Sequence, residues 1–263
     1  MKIAFIHELP IEMLIHWDDG LAAALNLLGQ EHTIIFRHVD SVLPPVDMVL
    51  AWGGATSRPA EAALGASPKK GLLYGGGVLE HANISKFDVL FVENEYNFNQ
   101  VNHPNKKVAF GTNTDLFIPI TQPKVWDMIY PAAFAKYKNH KKFIEIAEGK
   151  RALCVGHIQV SERDIVKEVQ MAGIQILPWV PYSVMPFLYN SSREVVLTPD
   201  PFGGCERAVL EAASCNIPVR LETECPKVLC FKDVKTREDV VGHYDHYQYA
   251  KALNDGIKSC FQS

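Results

Sequence analysis

Several common signatures are missing from this 263-residue chain, and each absence removes a class of function. Its six cysteines, at 154, 205, 215, 225, 230 and 260, form no Cys-x-x-Cys pair, so neither a zinc ribbon nor a dithiol redox motif is present. Cys225 and Cys230 stand too isolated for a zinc knuckle, and reduced thiols with a cytoplasmic location are the expectation. No H-E-x-x-H helix or EF-hand loop occurs, so no metal site is expected. His243 and His246 read as surface residues. Neither G-x-x-x-x-G-K-[ST] nor a G-x-G-x-x-G after the first strand is found, which speaks against an ATPase and a dehydrogenase. No apolar run approaches the roughly 18 residues of a membrane helix. The opening MKIAFIH enters as a strand, so neither a signal peptide nor integral membrane association is expected. Lys+Arg number 26 against Asp+Glu 30, a net charge of −4, which disfavours a general nucleic-acid coat while leaving a local basic cleft open. No internal repeat or low-complexity segment is seen.

What is there is an ordinary globular composition, 48% hydrophobic and 21% charged, long enough for one large or two small domains. Short β-branched runs alternate with helical patterns. Strands are predicted over Lys2–His7, Thr33–Arg37, Met48–Trp52, Lys70–Tyr74, Val89–Val92 and Lys107–Phe110, with a helix over Leu21–Leu28. This implies βαβ units and a parallel, doubly wound sheet whose ligands lie beyond the carboxyl ends of its strands, where His7, Gly53, Gly75 and Glu93 fall. Ile118–Pro123, stiffened by Pro119 and Pro123, reads as a hinge. The alternation then restarts, with strands at Asp127–Tyr130, Arg151–Gly156 and Ile174–Trp179 and helices at Lys141–Glu148, Glu162–Ala172 and Val184–Tyr189. Tyr249, Leu253, Ile257 and Phe261 space an amphipathic final helix over Asp245–Phe261.

The chemistry concentrates in Val195–Val219, VVLTPDPFGGCERAVLEAASCNIPV. A buried strand over Val195–Thr198 runs into a breaker cluster, Pro199–Gly204, then a helix over Glu206–Cys215 and a strand at Ile217–Leu221. Strand, glycine turn and helix N-terminus together offer free N–H groups and a positive dipole end to a phosphate. Arg207 and Glu211, four apart, share a helix face. The same pattern also suits a plain crossover helix with a capping turn and an exposed Arg–Glu pair.

The run L-E-A-A-S-C-N-I-P-V, Leu210–Val219, resembles the L-E-A-M-A-x-G-x-P-V signature of retaining GT-B glycosyltransferases of the GT4 family. Phe110–Pro119, FGTNTDLFIP, is similar to the family's G-V-D-x-x-x-F-x-P stretch that closes the N-terminal domain, with Asn113 near the usual aspartate. The resemblance implies two Rossmann-like domains facing across a cleft: 1–119 for the acceptor, 120–244 for the donor, and a 245–263 helix crossing back to the first. It implies that Glu211, matching the second glutamate of E-x7-E, binds the donor ribose. The first glutamate, which contacts the sugar, is replaced by Gly203, so Asp200 or Glu206 is expected to substitute. The family's diphosphate-binding arginine and lysine fall at Ala132 and Lys138; Lys138, Arg207 and the Gly203-Gly204 backbone are then the suppliers of positive charge.

On the first domain, Trp17-Asp18-Asp19-Gly20 precedes a helix, where Asp18 or Asp19 serves as N-cap or holds an acceptor hydroxyl, Asp19 counting as a catalytic candidate. His16, His7, His81, Trp52 and Gly76 are the further acceptor-side candidates, and Glu93 and Glu95 suit either a cleft or an irregular loop. The resemblance implies a metal-independent, retaining transfer from a nucleoside-diphosphate sugar, foremost a UDP-sugar, to an acceptor hydroxyl on a glycan, lipid, small molecule or modified DNA base, with no cofactor. A phage-type enzyme acting on a hydroxymethylated base, a nucleotide-sugar epimerase and a non-catalytic sugar-nucleotide binding module are the alternatives.

Overall fold

A computed structural model describes residues 1–8, 18–66, 69–75, 83–158 and 160–262 of the chain. Among the described residues, eleven parallel strands lie in two sheets, in two compact units of the chain. The first unit comprises Met1–Gly111 with Asp245–Ser263, and the second Thr112–Tyr244.

In the first unit, β1 (Lys2–His7), β2 (Thr33–His38), β3 (Met48–Trp52), β4 (Lys69–Tyr74), β5 (Val89–Val92) and β6 (Lys106–Val108) order as β2-β1-β3-β4-β5-β6. The side-chain period of two sends alternate residues to opposite faces, and both faces are covered. Ile3, Phe5, Leu50 and Phe91 pack under α1 (Gly20–Leu28) and the last helix, whereas Ala4, Ile6, Val49 and Leu90 pack under α2 (Arg58–Gly65). This last helix spans His246–Ser259. It comes so close to the sheet that a Cβ on Gly256 would sit 2.5 Å from the Phe91 ring. Tyr249, Leu253 and Ile257 are buried as the spacing predicts; Phe261 lies beyond the helix end and is 43% exposed. His246, read from sequence as a surface residue, is buried at the start of this helix, while His243 is exposed.

The second sheet contains β7 (Trp126–Pro131), β8 (Ala152–Val155), β9 (Gln175–Leu177), β10 (Ser192–Leu197) and β11 (Val219–Leu221) in the order β11-β10-β7-β8-β9. The chain adds β8 and β9 on one side of β7, then returns to place β10 on the other. The crevice between the carboxyl ends of β7 and β10 is thus the topological switch point.

Two stretches depart from the sequence reading. Glu95 is not in an irregular loop: Asn94 caps a helix α3 over Glu95–Gln100 by accepting from Asn97 N. Ile118–Pro123, expected as a hinge, is tied down within the second unit. Buried Asn190 accepts from Ile120 N at 2.8 Å and donates to Ile118 O at 2.9 Å and Pro186 O at 2.8 Å. Upstream, the Arg237 guanidinium donates to the carbonyls of Thr114 and Phe117 at 2.8 and 2.7 Å. These bonds hold residues 112–119 in the second unit, so the division falls at Gly111–Thr112, earlier than the expected boundary after Pro119.

Asn190→Ala removes the side-chain partner of three backbone groups, Ile120 N, Ile118 O and Pro186 O. It should lower unfolding stability by about 1–3 kcal/mol, read as a lower urea midpoint; an unchanged midpoint would show that 118–120 is not anchored this way.

Candidate functional site

At the switch point of the second sheet, two turns meet. After β7 the chain makes a short 3₁₀ turn, Lys136–Lys138, and Asn139, at φ 51°, starts α4 (His140–Ile146). After β10 it makes the Pro199–Cys205 turn that leads into α7 (Glu206–Ser214). Between them lie α5 (Arg163–Met171) and α6 (Met185–Asn190). Asp200 N donates to Tyr137 O at 3.0 Å, and a Cβ on Gly203 would sit 2.5 Å from that same carbonyl and 2.6 Å from Pro199 Cβ. Only glycine fits there. The glutamate that the resemblance expects at this position has no room for even its first carbon.

The turn's backbone groups are almost all spoken for. Asp200 Oδ1 accepts from Phe202 N and Asp200 O from Gly203 N, both at 2.9 Å, so this carboxylate shapes the turn. Glu206 is buried, and its Oε2 accepts from Cys205 N at 2.8 Å, a negative cap on the positive end of α7. Among the described residues, Gly204 N–H is the turn amide left without a partner. Lys138 lies half-buried beside it, donating to Gly204 O at 2.6 Å and to Cys205 Sγ at 3.7 Å. Its ammonium and burial together push the neighbouring His140 down to about 4, burial being the larger cause. That imidazole is neutral, 2% exposed and stacked on Phe134 at 4.7 Å. Arg207 is half-buried on the first turn of α7. Ala132, at the expected arginine position, is buried and supplies no charge.

Glu211 lies one turn further along α7 and is buried. Its Oε1 accepts from the Tyr182 hydroxyl and its Oε2 from the Tyr189 hydroxyl, the latter at 2.7 Å. Burial first, then the Glu211 charge, holds the Tyr189 phenol well above its ordinary range, so it remains a donor. Asn216, where the family signature has glycine, adopts φ 55° at the end of α7, a left-handed conformation that Asn tolerates.

The first-unit candidates gather at the carboxyl edge of its sheet, but not as one cluster. Asp19 caps α1, accepting from Ala22 N at 2.9 Å, and Asp18 is exposed. Trp52 and Glu93 converge on Gly75: a Cβ there would lie 3.1 Å from the indole nitrogen and 3.4 Å from Glu93 Oε1. His7 packs edge-on to His38 at the neighbouring strand end, with ring centroids 6.1 Å apart. His16, Gly76 and His81 lie outside the described residues. No group of three or more potential metal ligands occurs among the described residues.

Sequence reasoning missed Tyr182, Tyr189 and Lys227, a buried lysine taken up below. The tyrosines are seven apart on elements whose position against α7 only the fold decides. The one sequence clue to Lys227 was Pro226, a helix-start signal after β11.

Compared by sequence, the chain matches no described family and no curated protein. Compared by structure, it is similar to a sucrose-phosphate synthase from Thermosynechococcus elongatus, with TM-score 0.72 and 12% identity over 99% of both chains. A glycosyltransferase from Rickettsia africae gives TM-score 0.69 and 12% identity over 100% of this chain and 99% of the other. HepE of Anabaena, in complex with UDP and glucose, gives 0.67 and 15% over 98% and 100%. The fold is therefore GT-B, with two Rossmann-like parallel sheets.

Gly203→Ala should destabilise the chain by about 1–3 kcal/mol, because its neighbours are backbone and a proline ring. Gly204→Ala should cost less, since the nearest atom there is the end of the flexible Glu206 side chain, 2.7 Å away. Melting temperatures of the two variants check this; equal losses would contradict it.

Proposed function

We propose that this chain is a glycosyltransferase that moves a sugar from a nucleoside-diphosphate sugar to an acceptor hydroxyl, without a metal and with retention at the anomeric carbon. The observation that carries the proposal is the glycine turn at the second sheet's switch point, with a free Gly204 N–H, a helix N-terminus and the Lys138 ammonium around it. The HepE structures hold UDP, UDP with glucose, and UDP-glucose, which supports UDP as the donor nucleotide.

In this reading the diphosphate lies on the Gly203-Gly204 turn, with Lys138 and Arg207 neutralising it. Glu211 accepts from a ribose hydroxyl, exchanging the half-buried Tyr182 hydroxyl for it while Tyr189 keeps the other carboxylate oxygen in place. The bond between the sugar's anomeric carbon and the phosphate oxygen breaks, and its electron pair leaves with the diphosphate. The acceptor oxygen bonds the same face of the resulting oxocarbenium-like sugar, and its proton passes to the departing phosphate. Fixed positive groups around that phosphate favour its developing charge. Asp200 and Glu206, the candidates for the sugar-facing carboxylate, act here chiefly by shaping and capping the turn. The acceptor is assigned to the carboxyl edge of the first sheet, with Trp52, Asp18 and Asp19 as the described candidates.

A thermal-shift screen against UDP, GDP, ADP, CMP and dTDP, with and without magnesium, tests this. A ligand at about 100 times its dissociation constant adds roughly 2.7 kcal/mol, a rise of several degrees. UDP should stabilise the chain equally without magnesium, and Glu211→Ala should remove the effect. No shift with any nucleotide, or a shift only with magnesium, would overturn the proposal.

A further inference from the structure

The single-turn helix α8, Pro226–Leu229, places Lys227 under the glycine turn. The residue is 5% exposed. Its ammonium donates to Phe202 O at 3.5 Å, the outer limit of a hydrogen bond, and it forms no ion pair among the described residues. Other lysines of the chain are satisfied differently. Lys69 pairs with Asp88 at 3.2 Å, Lys258 with Glu31 at 2.9 Å, and Lys106 donates to two carbonyls at 2.7 Å. A lysine this buried, with one long bond for three N–H donors, keeps donor capacity that an anion at the turn would fill.

The turn carbonyls fix where the two ammoniums stand. Phe202 O faces Lys227, Gly203 O accepts from Cys225 Sγ at 3.3 Å, and Gly204 O accepts from Lys138 at 2.6 Å. The two ammoniums therefore bracket Gly203, on the turn that also carries the unpartnered Gly204 N–H.

We infer that Lys227 is a second phosphate-binding cation of the donor site, acting with Lys138 on the two phosphates of a nucleoside diphosphate. This rests on the reading of the turn as the donor site. Bound diphosphate gives Lys227 the counter-charge it lacks. When the sugar leaves, the charge gained by the terminal phosphate meets two ammoniums fixed in place.

The test is calorimetric titration of the full chain and of Lys227→Met and Lys227→Arg with UDP and with uridine. Lys227→Met should weaken UDP binding about tenfold or more, the usual size for a lost charge-assisted hydrogen bond. It should leave uridine binding unchanged, and Lys227→Arg should retain UDP affinity. The unliganded Met variant should melt no lower than the parent, because an uncompensated buried charge has been removed. Unchanged UDP affinity in Lys227→Met would overturn the inference and leave the donor site standing. A fall in the unliganded melting temperature with equal loss of UDP and uridine binding would also overturn it, as the mark of a structural lysine. Absence of UDP binding to the parent chain would instead sink the reading of the site itself.

Discussion

The second unit is built around a contact between two turns: the Tyr137 carbonyl pressed against Gly203. With β10 returned to the far side of β7, the loops leaving these strands share one crevice. They can close on it only if one contributes no side chain. Gly203 meets that requirement, and the Asp200 N–H bond to Tyr137 O locks the approach. The direction of α7, the placement of Lys138 on Gly204 O and the burial of Lys227 beneath Phe202 all follow from it. So does the departure from the glutamate pattern of the resembling family: a side chain at 203 is incompatible with this closure.

The site that results is polar but short of free carboxylates. Asp200 and Glu206 are turned onto backbone amides, and Glu211 onto two phenols. The ammoniums of Lys138 and Lys227 are turned onto carbonyls, which are weaker partners than carboxylates. Three carboxylates and three cations, Lys138, Arg207 and Lys227, thus stand around the turn, so what draws an anion there is the placement of the ammoniums and not an excess of positive charge. An even distribution of charge in the sequence says little about the field at one sheet edge.

The fold was legible because parallel strands covered on both faces are continuous apolar runs. Met48–Trp52 and Val89–Val92 have the bounds that their β-branched and aromatic residues predict. The elements that escaped notice are short and polar. The apolar face of Arg58–Gly65 is built chiefly of small alanines, Ala60 and Ala63, and Glu95–Gln100 is a six-residue, asparagine-rich segment, so neither carries a long stripe of large apolar side chains. Of the candidate site, the glycine turn, Glu206 and Glu211 were readable because they sit in one contiguous motif, whereas Lys138, about 60 residues earlier, was reached only through the resemblance. Tyr182, Tyr189 and Lys227 were not, because their roles arise from packing across elements far apart in the chain. The hinge expected at Ile118–Pro123 failed for the same reason, since prolines mark a stiff segment but cannot show that Asn190 fastens it.

The central claim is that a nucleoside diphosphate binds on the turn between β10 and α7. Hydrogen–deuterium exchange on the full chain, with and without saturating UDP and no magnesium, addresses it most directly. The account predicts slower exchange at Gly204 and over Lys136–Lys142 and Pro199–Glu211. Protection confined to other segments, or none at saturation, would contradict it.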